Sequence, residues 1–211
     1  MVAASPKDNK NSLKSGDRVR LAIFAALSLL TAIIFSSCIY SDHPLTARGS
    51  KDDRICGVWR LVDDKNNTQM QLSILRDKDG WYKICEKEQG PGEKEHTSTD
   101  RCYPSRTKSG DFLNIEFLAT IKQEGKQTTQ SVPKFMFVKY EVTKEELWIW
   151  NIDEALLMVD VHNKRLAGEI DNASTPWRIV RIHDSAANIL KYFDEQAKGN
   201  LFVAAGHFRR I

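Results

Sequence analysis

The sequence predicts a mainly β domain: a closed antiparallel barrel of eight strands, with a short helix and a C-terminal helix, behind an N-terminal signal helix. Three observations predict it. Short segments with apolar residues at every second position recur between turn signals. The strand–helix–strand alternation that builds parallel sheets is missing. An uncharged apolar run, residues 21–38, follows a basic leader.

The leader carries Lys7, Lys10, Lys14, Arg18 and Arg20 against Asp8 and Asp17. A positive leader stays in the cytoplasm while the apolar run behind it enters the membrane. Residues 38–54 are polar, with Pro44 and Gly49, and read as a flexible tether without a core of its own. The domain is expected over 55–202. Its first strand is 58–62, where Trp59 and Leu61 alternate with Val58 and Arg60. Residues 69–74 follow, with Met70, Leu72 and Ile74 on one face and Gln69, Gln71 and Ser73 on the other. Asp77-Lys78-Asp79-Gly80 is a hairpin turn, the Asp-Gly pair suiting positive φ. The next strand is 81–88.

Residues 89–99 read as a long polar loop, 101–103 as a short strand, and 111–119 as a strand with Leu113, Ile115 and Phe117 together. Gly125 and Pro133 bracket another polar loop. Strands at 134–142 and 146–152 are apolar on both faces, so each is covered on both sides: barrel interior on one, a helix on the other. Asp153 caps a short helix over 153–163, with Ala155, Leu156 and Val159 near one stripe. A last strand spans 177–182. Asp184 or Ser185 then caps a helix over 186–198, whose stripe is Ile189, Leu190 and Phe193 and which Gly199 ends. Residues 203–211 read as a tail. Short strand spacing and a late helix argue for closure, which leaves no exposed edges.

Charge narrows the function classes. Five of the 31 basic and two of the 28 acidic residues lie in the first 20, so the remainder is formally neutral. Nothing concentrates the basic face that a nucleic-acid partner would need. No Cys-x-x-Cys, Gly-x-Ser-x-Gly or phosphate loop occurs, so no metal, cofactor or enzymatic role is expected. Among Cys56, Cys85 and Cys102, the last two flank the turn-rich Gly90-Pro91-Gly92, so a hairpin could pair them. Pairing through Cys56 and three free thiols are the alternatives.

Ser36, Ser37 and Cys38 resemble the lipobox of bacterial lipoproteins, where small residues precede an obligatory cysteine. The resemblance implies a signal peptide, 1–37, cut before Cys38. It also implies acyl chains on Cys38 that hold the protein to the cell envelope, facing outside the cytoplasm. Several chains give a lasting anchor. Ile39, in place of the Asp that retains lipoproteins at an inner membrane, points to the outer membrane where there are two. The alternative is an uncleaved signal anchor, because residues 21–40 carry no charge and are just long enough to span a bilayer.

Gly57-Val58-Trp59 carries the Gly-x-Trp that opens the lipocalin barrel. With the ordered second half, from Phe137 through Trp148 and Trp150 to Leu201-Phe202, the chain is similar to small bacterial lipoproteins with lipocalin-like barrels. That resemblance implies an eight-stranded barrel and no activity. Such barrels either hold one small ligand or are filled by side chains. Trp59, Phe135, Phe137, Trp148 and Trp150 are the candidate lining of an apolar-ligand pocket, and equally the core of a filled barrel; Trp59 reads as a plug at the closed end. The expected partners are the membrane, through the acyl chains, and either a small apolar ligand or an envelope protein that meets the outer surface.

Overall fold

The computed structural model describes residues 39–62, 69–90, 94–122, 129–171, 179–196 and 199–211. The expected signal helix and Cys38 lie outside them. Among the described residues, no helix is long and apolar enough to cross a membrane.

Eight strands form the barrel. They are β2 (Gly57–Leu61), β3 (Gln69–Arg76), β4 (Tyr82–Gln89), β5 (His96–Thr107), β6 (Gly110–Lys122), β7 (Thr129–Val142), β8 (Glu146–Ile152) and β11 (Phe202–Arg210). Each pairs antiparallel with the next in the order β2-β3-β4-β5-β6-β7-β8-β11, and β11 pairs back onto β2. Closure leaves no open edge around this ring. The expected hairpin turn is present: Gly80 takes φ +78°, and its amide donates to the Asp77 carbonyl at 3.2 Å.

Between β8 and β11 the chain leaves the barrel. It forms α1 (Glu154–His162), β9 (Gly168–Asp171), β10 (Ile179–Ile182) and α2 (Ala186–Glu195). Asp153 caps α1 by accepting from the Leu156 amide at 3.0 Å, and Ser185 caps α2 through the Asn188 amide at 3.3 Å. A first strand, β1 (Ile39–Ser41), runs parallel to β10 and meets β7 at Ser41–Phe135. Two cores result. The inward faces of the barrel make one. The other lies between the barrel wall and this excursion, built on Phe112, Phe137, Leu157, Ile189 and Phe193.

Four sequence expectations are corrected. The tail expected over 203–211 is instead the closing strand β11, Phe202–Arg210. The alternation there is broken by a register shift between Ala204 and Gly206, which hides the strand in the sequence. A Cβ on Gly206 would sit 2.6 Å from the Phe208 ring. Residues 39–54 are not a leash: Ile39 and Leu45 are buried, and the Leu45 amide donates to Asn114 Oδ1 at 2.8 Å. The polar loop expected over 89–99 shrinks, because β4 runs to Gln89 and β5 begins at His96. Pro133 lies inside β7, where β6 pairs on one side and β8 joins only from Lys139 onward. A missing amide is tolerated at such an edge.

The α1 stripe is a fifth difference. The buried face is Leu157, Asp160 and Val161, while Leu156 and Val159 are exposed. Asp160 belongs inside because Tyr192 Oη donates to it at 2.7 Å and Arg165 at 3.2 Å. The expected α2 stripe is present, with Ile189 and Phe193 fully buried.

The barrel is locked at one end. Trp59 is fully buried and its Nε1 donates to the Ile55 carbonyl at 2.8 Å. The Arg210 guanidinium lies 4.1 Å from the Trp59 ring centroid. It donates to the carbonyls of Lys144 and Cys56, both at 2.8 Å, and of Arg54 at 2.6 Å. Gly57 makes room: it takes φ +145°, and a Cβ there would stand 2.7 Å from Arg210 Nη1. Arg210→Ala should therefore destabilise the domain by about 2–4 kcal/mol, through lost charge-assisted hydrogen bonds and cation–π contact. Denaturant melts of the two proteins check this, and a loss below about 0.5 kcal/mol, the ordinary surface value, would contradict it.

Candidate functional site

The barrel interior is the first place to look for a ligand. Period-2 alternation turns Met70, Leu72 and Ile74 of β3 inward, against Tyr82 and Ile84 of β4. Leu113 and Ile115, Val138 and Tyr140, Leu147 and Ile149, and Phe208 come from the other walls. With Trp59 they form one contiguous buried cluster. These apolar side chains line the barrel interior.

The five aromatic candidates do not meet. Trp59 sits in the barrel core. Phe135 and Phe137 face outward and are covered by the excursion; Phe137 packs edge-on against Phe193 at 5.9 Å. Trp148 and Trp150 also face outward, because the alternating Leu147 and Ile149 take the interior. Among the described residues no helix covers Trp148, which is 36% exposed. It stacks on His207 with ring centroids 3.7 Å apart and 5° between planes, and on Trp150 at 6.4 Å. His207 Nε2 lies 3.4 Å from Glu146 Oε1. A strand apolar on both faces does not reveal in sequence which face is inside.

The cysteine pair is separated as well. Cys85 stands opposite Thr99, and Cys102 opposite Tyr82. Cys102 points into the barrel and is fully buried, whereas Cys85 is on the outer face. Opposite faces cannot be bridged. All three described cysteines, Cys56, Cys85 and Cys102, are free thiols. Burial pushes the Cys102 thiol far above its ordinary range.

Beneath the locked end lies a satisfied polar network. Asp52 accepts from Arg54 Nε at 2.7 Å, Arg54 Nη2 at 2.6 Å and Tyr140 Oη at 3.0 Å. Its amide donates to Tyr82 Oη at 3.0 Å, and the Tyr82 hydroxyl donates to Asp53 Oδ1 at 3.1 Å. Burial alone would raise the Asp52 carboxyl, but the bonds from Arg54 and Tyr140 outweigh it and hold it below the ordinary value. Burial pushes the Tyr140 hydroxyl well up. Every partner is spoken for, so the network braces the barrel and offers no free nucleophile.

Further along β4 and β5 the interior turns acidic, which sequence reasoning did not single out. Glu86 and Glu88 continue the inward series of Tyr82 and Ile84, and Asp100 stands opposite Ile84 on β5. Glu86 is only 6% exposed. Burial, then Glu88 and Asp100, push its carboxyl up to about 7. Burial also raises Asp100. Carrying the period-2 reading of 81–88 to its end would have exposed this feature: two carboxylates fall on the buried face. Asp100 also lines a cavity of about 680 Å³, with Trp81, Tyr82, Arg101, Glu116 and Phe117. Among the described residues, no three His, Cys, Asp or Glu side chains are placed to hold a metal ion.

No family model, no curated protein and no solved structure matches this chain.

The acidic end sets a pH dependence. Folding raises the Glu86 carboxyl from 4.5 to about 7, so the unfolded chain releases its proton first as pH rises. The contribution of Glu86 to stability is therefore full below about pH 4.5, falls up to about pH 7, and then levels. The loss attributable to Glu86 is at most about 3 kcal/mol. Glu86→Gln should flatten most of this slope and be the more stable protein at pH 8, read by urea melts across the window. Parallel losses in wild type and variant would contradict the assignment.

Proposed function

We propose that this chain is a lipid-anchored cell-envelope protein whose barrel is a filled scaffold acting through its outer surface. The observation that carries the reading is the contiguous apolar cluster inside the barrel, with the exposed Trp148 turned outward. Trp148, Trp150 and His207 form an aromatic ladder across β8 and β11, flanked by Glu146 and Arg209. Exposed Trp stacked on a rigid sheet is the kind of anchor that protein interfaces use.

The position of the anchor supports the same reading. β1 begins at Ile39, the residue after Cys38, and is held between β7 and β10. Asp42, just beyond β1, is pinned by Lys134 and by His183 Nδ1 at 2.6 Å. Acyl chains on Cys38 would join this sheet with no intervening spacer, which keeps the barrel close to the bilayer.

Two measurements test the proposal. In native against denaturing mass spectrometry of protein extracted from its own membrane, the denatured mass should equal residues 38–211 plus acyl chains. The native mass should agree with it; a discrete extra small molecule of apolar class would overturn the filled-barrel reading. Cys38→Ser should abolish acyl labelling, and normal processing of that variant would sink the anchor. Trp148→Ala should cost no more than about 1 kcal/mol, because the ring lies outside the core. A loss of about 3–5 kcal/mol would instead mark it as buried packing.

A further inference from the structure

We infer that the outer face of α1, together with the basic turn that ends it, lies on the surface of an anionic lipid bilayer. The inference rests on the lipid anchor proposed above. α1 is apolar where it meets solvent and acidic where it is buried. Leu156 and Val159 are 42% and 54% exposed, while Asp160 takes the inner side with Leu157 and Val161. Ala155, Leu156, Val159 and His162 are all exposed and recur at helical spacing, so they share one face. Adjacent apolar side chains left in water on one helix face mark a surface that something else covers.

Charge and position point to the bilayer as that cover. The apolar face runs into His162, Asn163, Lys164 and Arg165, all exposed and with no acid among them. Arg165 bonds the buried Asp160 at 3.2 Å and is still 63% exposed. Apolar side chains beside basic ones suit a helix lying shallowly in the interface of a membrane with anionic headgroups. Ile39, the residue after Cys38, is buried in the same core cluster as Leu157 and Val161 of α1. β1 pairs with β10 and β10 with β9, and a Cβ on Gly168 of β9 would touch Val161 at 3.4 Å. The point of attachment and α1 therefore belong to one packed body on one side of the barrel. Leu75, 58% exposed, lies instead on β3, across the ring from β7.

The test uses protein extracted from its own membrane, methyl-labelled at Leu and Val, in nanodiscs of phosphatidylcholine with phosphatidylglycerol and in discs of phosphatidylcholine alone. A trace of lipid carries a nitroxide high on its acyl chain, and methyl line broadening is read. In the anionic discs Leu156 and Val159 should broaden about fivefold or more beyond Leu75. Lys164→Glu should cut that broadening about twofold and leave Leu75 unchanged. Should the variant misfold by circular dichroism, the wild type decides alone, with broadening about twofold weaker in phosphatidylcholine. If the protein stays with the discs and Leu156 and Val159 broaden no more than Leu75, the contact is overturned while the anchor stands, and the face is left to a protein or a second copy. If the extracted protein leaves the discs, the anchor reading fails and the contact falls with it. Equal broadening in both lipids, unchanged by Lys164→Glu, would overturn the anionic surface.

Discussion

Arg210 lies at the end of β11 and Trp59 near the start of β2, and their side chains meet face to guanidinium at 4.1 Å. The same guanidinium holds three backbone carbonyls from two further segments. Those segments are the β7–β8 turn and the stretch leading into β2. An arginine fork on a buried indole therefore fixes where the first and last barrel strands close on each other. Gly57 exists at its position because only a residue without a Cβ leaves that fork in place. Closure in turn lets β11 lie between β8 and β2, and that makes the inward faces into one continuous core.

The barrel's outer faces differ in what covers them. The outward face of β6 and β7 is spent on the second core, under α2, through Phe112 and Phe137. The outward face of β8 and β11 is left with Trp148, Trp150 and His207. One end of the interior is braced by Asp52, Tyr82 and Tyr140, all satisfied by hydrogen bonds. Along β4 and β5 the interior instead carries acids that lower stability once ionised. Burial and the neighbouring acids make the ionised form of Glu86 costly inside the barrel.

Much of this was legible in sequence because a two-residue period is hard to produce by accident. The Met70, Leu72, Ile74 series, the Asp-Gly turn and the caps Asp153 and Ser185 all stand where the residues place them. The misses have physical causes. A bulge at Ala204–Gly206 erased the alternation of β11. β1 is three residues long and sits in polar surroundings, so no pattern could announce it. In α1 a buried Asp160 took the place of an apolar residue, which rotated the expected stripe to the outside. Trp148 and Trp150 alternate with equally apolar neighbours, and only the register of β8 against β7 and β11 decides which set is inside.

Native-state hydrogen exchange of β11 tests closure most directly. The Ile211 amide donates to the Val58 carbonyl at 3.0 Å across the closing seam, and the Arg210 amide to the Glu145 carbonyl at 2.9 Å on the β8 side. If the clamp closes the barrel, these amides and those of β11 exchange only through global unfolding, with protection equal to that of β3 and β4, and Arg210→Ala lowers both together. Exchange of β11 at the rate of an unstructured tail, while β3 and β4 stay protected, would contradict the account.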